Sequence, residues 1–270
     1  MISECLTRLE KRLEVSASSP LNARSLGQWV QAFRRCVAFE SLDVLAGLPV
    51  STDIEQIADK IINQRRGGWC FEVNLLLGEL LKRQGFPVTP VLARVTYRRP
   101  SPGPLSHLAL RVTADQQDWV VDAGFGGPGP MAPLAVSARE SCDEWGCRWR
   151  WYPSGPDGMQ LNRWLQGHWQ PIYILSPLRV LPIDIEVASF FLSQWPMSPF
   201  RRVLICVAFD GESFWCIEES ALVQRDVNWT EKTRSQIDDV AHLQTLLTRH
   251  FGIMVSPELC QKAWSHSIAP

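Results

Sequence analysis

Apolar residues in the first third of the chain recur at helical spacing. Leu6, Leu9 and Leu13 share one face, as do Leu26, Trp29, Val30 and Phe33. Ser25 with Gln28 fits a capping box ahead of the second stripe. Ile54, Ile57, Ala58 and Ile61 form a third stripe behind Ser51-Thr52-Asp53. A fourth helix is predicted from about Cys70, through Leu75, Leu76, Leu80 and Leu81, ending before Gly85 and Pro87.

After Pro87 the period changes. Val88 to Tyr97, Leu108 to Val112 and Trp119 to Val121 are short β-rich runs between turn residues, and prolines at 100, 102 and 104 make a stiff loop that no central strand accepts. Tryptophans at strand-like spacing continue the pattern over 145–185. Beyond Asp184 the chain mixes a helix near Val187–Gln194, strands at Val203–Phe209 and Phe214–Glu218, and a last helix around Ile237–His250. Helices first and strands later predict an α+β chain.

Composition changes this picture little. At 270 residues, 46% apolar and 20% charged, the chain is an ordinary globular one that builds its core without staples. A net charge of −1 offers no broad field for nucleic acid or an anionic membrane, so anionic ligands need local clusters. The first residues interleave charge with apolar positions unlike a signal peptide, and no apolar run approaches the ~20 residues that span a bilayer. The expected location is the cytoplasm. Eight cysteines, at 5, 36, 70, 142, 147, 206, 216 and 260, include no CxxC pair, so neither a zinc site nor any other metal site is expected.

One cysteine stands apart. Cys70 follows Arg65-Arg66-Gly67-Gly68-Trp69, where two glycines permit a sharp turn and leave amides uncovered, and it opens a helix. The positive end of a helix dipole favours thiolate, the nucleophilic form. The bland alternative is a buried cysteine behind a glycine loop. His107, one of five histidines, opens a strand after the proline loop, and Asp122 ends the next strand. A two- or four-residue loop between these strands puts both on one face, directly opposite in the first case and diagonal in the second. A three-residue loop puts them on opposite faces. A carboxylate so placed orients the imidazole and stabilises its charged form; the alternative is a capping aspartate beside an unrelated surface histidine. Gly124 to Gly129 matches GxGxxG, but prolines at 128, 130 and 133 exclude the helix a dinucleotide site needs. A glycine loop beside the active site fits better.

With these residues assembled, the chain resembles the arylamine N-acetyltransferases over nearly its whole length. The likeness rests on Phe39-Glu40-Ser41-Leu42-Asp43-Val44, Arg66-Gly67-Gly68-Trp69-Cys70-Phe71-Glu72-Val73-Asn74, Ser106-His107, Val121-Asp122-Ala123-Gly124-Phe125-Gly126 and Ser198-Pro199-Phe200-Arg201. It implies a helical domain over 1–85, a β-barrel over 86–185 and an α/β lid over 186–270, with the core arrangement of papain-like cysteine proteases. It implies a Cys70, His107, Asp122 triad passing an acetyl group from acetyl-CoA to an aromatic amine, hydrazine or hydrazide by a ping-pong mechanism. It further implies an ion pair of Glu40 with Arg66 bracing the cysteine loop, and an acceptor pocket of Phe39, Phe125 and Phe200. Val95, Ser106, Gly126, Gly127 and Trp229 match positions near coenzyme A. Ser41 departs from a common asparagine, which bears on the local loop more than on the chemistry. Rival functions are an amide synthase of the same fold closing a macrolactam, a cysteine hydrolase, and a non-catalytic binding protein.

Overall fold

The computed structural model describes residues 2–15 and 20–268. Five helices come first: α1 (Ile2–Leu13), α2 (Ala23–Cys36), α3 (Leu42–Leu45), α4 (Ile54–Ala58) and α5 (Cys70–Arg83), with a two-residue strand β1 (Phe39–Glu40) between α2 and α3. The predicted stripes of α1 and α2 are buried, and α5 is apolar on nearly every side because it runs through the core. Its end follows the predicted signal: Gly85 adopts φ +96°, and the Phe86 amide reaches back to the Leu81 carbonyl at 3.0 Å. The cap of α2 differs from the sequence reading. Asn22, not Ser25, is the N-cap, and Ser25 sits in the first turn returning the hydrogen bond to the Asn22 amide. Either polar residue satisfies the capping pattern, and the chain's entry angle selects the earlier one.

Eight strands then form one antiparallel sheet: β2 (Val88–Val95), β3 (Leu105–Ala114), β4 (Gln117–Val121), β5 (Leu134–Ala135), β6 (Glu140–Cys142), β7 (Arg148–Pro153), β8 (Met159–Leu165) and β9 (His168–Leu175). Their order is β5-β4-β3-β2-β9-β8-β7-β6, and the sheet curls into a nearly closed barrel. The β3–β4 hairpin separates two cores. Leu110, Val112 and Val121 pack on the helices, whereas Ala109 and Val120 face the barrel interior.

The remainder comprises α6 (Pro182–Gln194), strands β10 (Cys206–Phe209), β11 (Phe214–Glu218), β12 (Ala221–Arg225) and β13 (Glu231–Gln236), then α7 (Val240–Phe251) and α8 (Pro257–Ala263). The four strands make a second sheet of order β1-β10-β11-β12-β13, so β1 of the helical segment is its edge. The predicted division at 185/186 falls inside α6, which begins at Pro182. Among the described residues no helix is long and apolar enough to cross a membrane.

Candidate active site

The loop before α5 is stitched to β1. The Gly68 amide donates to the Ala38 carbonyl (3.2 Å), and the Gly68 carbonyl accepts from the Glu40 amide (2.9 Å). A Cβ on Gly67 would lie 2.5 Å from the Ala38 oxygen, so the close approach requires glycine. This stitching brings Glu40 and Arg66 together. Arg66 Nε and Nη2 donate to Glu40 Oε1 at 3.0 and 2.6 Å, and Nη2 also reaches Asp43 Oδ1 at 2.9 Å. The second Glu40 oxygen accepts the Leu42 amide at 2.7 Å.

The pair belongs to a larger network that the sequence did not reveal. Lys60 Nζ lies 2.6 Å from Asp43 Oδ2 and 2.8 and 2.9 Å from the two oxygens of Glu72. Glu72 Oε2 accepts the Trp69 amide at 3.1 Å, capping α5 directly ahead of Cys70. Burial pushes the Glu72 carboxyl upward against the pull of Lys60. Three carboxylates and two cations thus hold the turn that presents the thiol.

His107 and Asp122 come from the β3–β4 hairpin, whose turn has two residues, Asp115 and Gln116, both at positive φ. Leu110 pairs with Val121, and continuing that register sets Ala109 opposite Asp122. His107 is therefore diagonal to Asp122, not directly opposite as expected for a two-residue loop, because the turn falls on Asp115 and Gln116 and that register sets Ala109 opposite Asp122. The diagonal still shares a face. His107 Nε2 and Asp122 Oδ2 are 2.8 Å apart, both side chains almost wholly buried.

Asp122 is fixed from behind. Its Oδ1 accepts from Asn74 Nδ2 and the Gly124 amide, each at 3.0 Å, and Arg34 Nη1 donates to its carbonyl at 3.0 Å. Asn74 also donates to the Leu108 carbonyl (2.7 Å) and accepts the Ala123 amide (3.0 Å), so one side chain ties α5 to both strands. Burial disfavours the His107 imidazolium, but the Asp122 charge and hydrogen bond, and the hydrogen bond with Cys70, override it and raise the group to about 10. Burial pushes Asp122 upward, yet His107, Asn74 and Arg34 together hold it below its ordinary value. With Nε2 taken by Asp122, the nitrogen left to face Cys70 is Nδ1.

Cys70 and His107 open onto a cavity of about 200 Å³. Phe39, Phe125 and Phe200 line it with Val95, Ser106 and Gly126. Phe200 sits 6.1 Å from Phe39 and 5.7 Å from Trp69 between ring centroids, and Phe125 stands edge-on to His107 at 5.3 Å. The GxGxxG stretch is a loop with no helix before β5, and Gly124 and Gly126 lie in the cavity wall. Gly127 packs under Phe125 rather than lining the cavity. Trp229 also stands apart from this wall: its ring packs on Phe214 at 5.1 Å and its carbonyl accepts Arg225 Nη1. The cause is the tight β12–β13 turn, where Trp229 takes φ +63° and folds back onto its own sheet. Ser41 is buried and exchanges hydrogen bonds with Ile205, which itself lines the cavity.

Of the supporting residues missed, Asn74 had a signal, since it follows Cys70 by four and shares its helix face. Arg34, Asp43 and Lys60 had none, because their partners are brought near only by folding. Among the described residues, no group of three or more His, Cys, Asp or Glu side chains is placed to hold a metal ion.

Residues 23–260 match the family model described as N-acetyltransferase. The chain is 31% identical over 257 residues to an arylamine N-acetyltransferase of Mycobacterium tuberculosis, covering 93% of this chain and 90% of that one. The corresponding Escherichia coli protein is 28% identical over 248 residues, covering 90% and 87%. The structure of Mycobacterium marinum arylamine N-acetyltransferase in complex with CoA superposes with a TM-score of 0.89 at 29% identity, covering 97% of this chain and all of that one.

Proposed function

Because the chain belongs to the arylamine N-acetyltransferase family, an acyltransferase family, we propose that it moves an acetyl group from acetyl-CoA to an arylamine, arylhydrazine or hydrazide through an acetyl-Cys70 intermediate. The carrying observation is the buried His107–Asp122 pair with Cys70 on its free side. An imidazole that stays protonated across the neutral range is the counterion a thiolate needs.

In this reading the Cys70 thiolate attacks the thioester carbonyl. The amides of the first turn of α5, which have no partner within the helix, stabilise the oxyanion. Collapse expels the CoA thiolate, which takes the proton on His107 Nδ1. The amine then attacks the acetyl-cysteine, His107 takes its proton, and the amide leaves as the thiolate–imidazolium pair is restored. Asp122 stays ionised throughout. The helix bearing cysteine against a barrel bearing histidine and aspartate is, in our reading, the core arrangement of papain-like proteases.

The acceptor follows from the cavity. An apolar space of about 150 Å³ suffices for a benzene ring, so the ~200 Å³ here suits an acetyl group and one aromatic ring. It does not suit the long acyl chain of a macrolactam-forming amide synthase. Coenzyme A is bound by the Mycobacterium marinum relative, and we assign the donor here on that likeness, with Val95, Ser106 and Gly126 in the wall of the cavity it would enter.

The test is intact-mass measurement with acetyl-CoA and no amine. The chain should gain one acetyl group, lost on adding an aniline and absent from Cys70→Ala. An acetyl-enzyme that hydrolyses at the same rate with or without amine would establish the hydrolase instead.

A further inference from the structure

Seven of the nine large apolar side chains exposed among the described residues fall between residues 178 and 197, on and around α6. Five of them, Leu178, Ile183, Val187, Phe190 and Phe191, line two grooves that meet at Val187. Each is between 39% and 69% exposed, a clustering of large apolar side chains of the kind that marks an interaction surface.

The relief of this patch says what fits it. Ile183, Val187 and Phe190 follow one another at helical spacing as an exposed ridge. A groove runs on each side, one walled by Pro49 and Val50, the other by Pro104 and Leu105. A ridge flanked by two grooves carries both halves of a helix–helix contact, because ridges of one helix pack into grooves beside another. The charges agree. Asp184 and Glu186 lie in the first turns of α6, where they outweigh the exposed Arg179 before it, while Arg201 and Arg202 follow its other end, Arg201 donating to the Ser193 carbonyl at 3.1 Å. Two antiparallel copies bring each acidic end against a basic end.

We propose that the protein is a two-fold dimer joined through α6, with the ridge of each copy seated in the grooves of the other. The opposite side of α6 carries Leu192, which lines the catalytic cavity. Dimerisation therefore clamps the helix that closes the cavity wall.

Sedimentation velocity on the full chain, from about 1 to about 100 µM, tests this. The parent should dimerise. Val187→Glu and Phe190→Ser, both at exposed positions, should keep the parent's circular dichroism and raise the dimer Kd by ~100-fold or more, as changes at an interface centre do. Met254→Glu, exposed elsewhere, should dimerise like the parent. A monomer across the whole range overturns the proposal, as does a dimer indifferent to both α6 changes. A monomer that floats with phosphatidylcholine–phosphatidylglycerol vesicles overturns it in favour of a membrane surface.

Discussion

Arg66→Ala removes the cation that closes the network under Cys70. Three hydrogen bonds go: two to Glu40, whose side chain is 0% exposed, and one to Asp43. Glu40 keeps only the Leu42 amide, and Asp43 keeps only Lys60. Removing one partner of a buried pair costs about 3–5 kcal/mol, because the remaining charge stays desolvated and uncompensated. At ~2–4 °C per kcal/mol for a chain near this size, the melting temperature should fall by roughly 6–20 °C. The Glu79–Lys82 pair is the internal comparison, with side chains 38% and 52% exposed. Lys82→Ala should cost less than ~1 kcal/mol. Differential scanning calorimetry measures both. Acetyl-thioester formation should fall as well in Arg66→Ala, because Glu40 and Gly68 share the strand contact that holds the cysteine turn. If Arg66→Ala melts within ~2 °C of the parent, the network is not the brace described and Glu40 has found water.

Asp122→Asn should keep Oδ1 accepting from Asn74 and Gly124 while presenting an amide to His107 Nε2; the imidazole must then accept there and carry its proton toward Cys70, so turnover should drop ~10²-fold or more, against ~10⁴ for the same change in a serine triad. Normal turnover in a folded Asn variant would make Asp122 structural. The His107 group rises from 6.5 to about 10 on folding, so its stabilisation is full below 6.5 and lost as pH rises toward 10; the parent's melting temperature should decline across that window more steeply than that of His107→Gln, and parallel profiles would refute the pairing. Gly124→Ala would set a Cβ 2.7 Å from Asn74 Nδ2 and 2.8 Å from the Cys70 Cα, so thioester formation should fall at least ~10-fold as Cys70 shifts. Gly27→Ala, inside α2 with no neighbour closer than 3.9 Å, should instead gain ~0.5–1 kcal/mol and keep its activity.

What was legible in the sequence was what local periodicity encodes. The start of α5 at Cys70 and its stop at Gly85 followed from glycines and a continuous apolar stripe, and the alternation after Pro87 announced the barrel. Strand β13, Glu231–Gln236, escaped because all six residues are exposed and no alternation exists to read. Strand β1 escaped because two residues carry no period; its pairing with β10 links positions more than 160 apart. The aspartate–histidine pair was visible as a same-face possibility, but its diagonal offset depended on which two residues form the turn, Asp115 and Gln116. Arg34 carried no local signal, because its bond to the Asp122 carbonyl spans 88 residues.

The same facts explain why the site needs the whole chain. Cys70 belongs to the core that fills the barrel, whereas Val73 and Leu76, on the same helix, belong to the helical core. Helix α5 is thus shared, and its rotation is set by packing on both sides at once. Asn74 converts that rotation into chemistry, since its single amide reads the position of β3 through Leu108 and of Asp122 through Oδ1. Arg34 adds α2 to the same fixture, and burial drops its guanidinium to about 10 despite the attraction of Asp122. That costly burial has a local return: the guanidinium holds the Asp122 carbonyl and its charge favours the ionised carboxylate, which the proposed mechanism requires throughout. Neither the helices nor the barrel alone holds Cys70, His107 and Asp122 in register, so the geometry of these three side chains and the docking of the two cores rise and fall together.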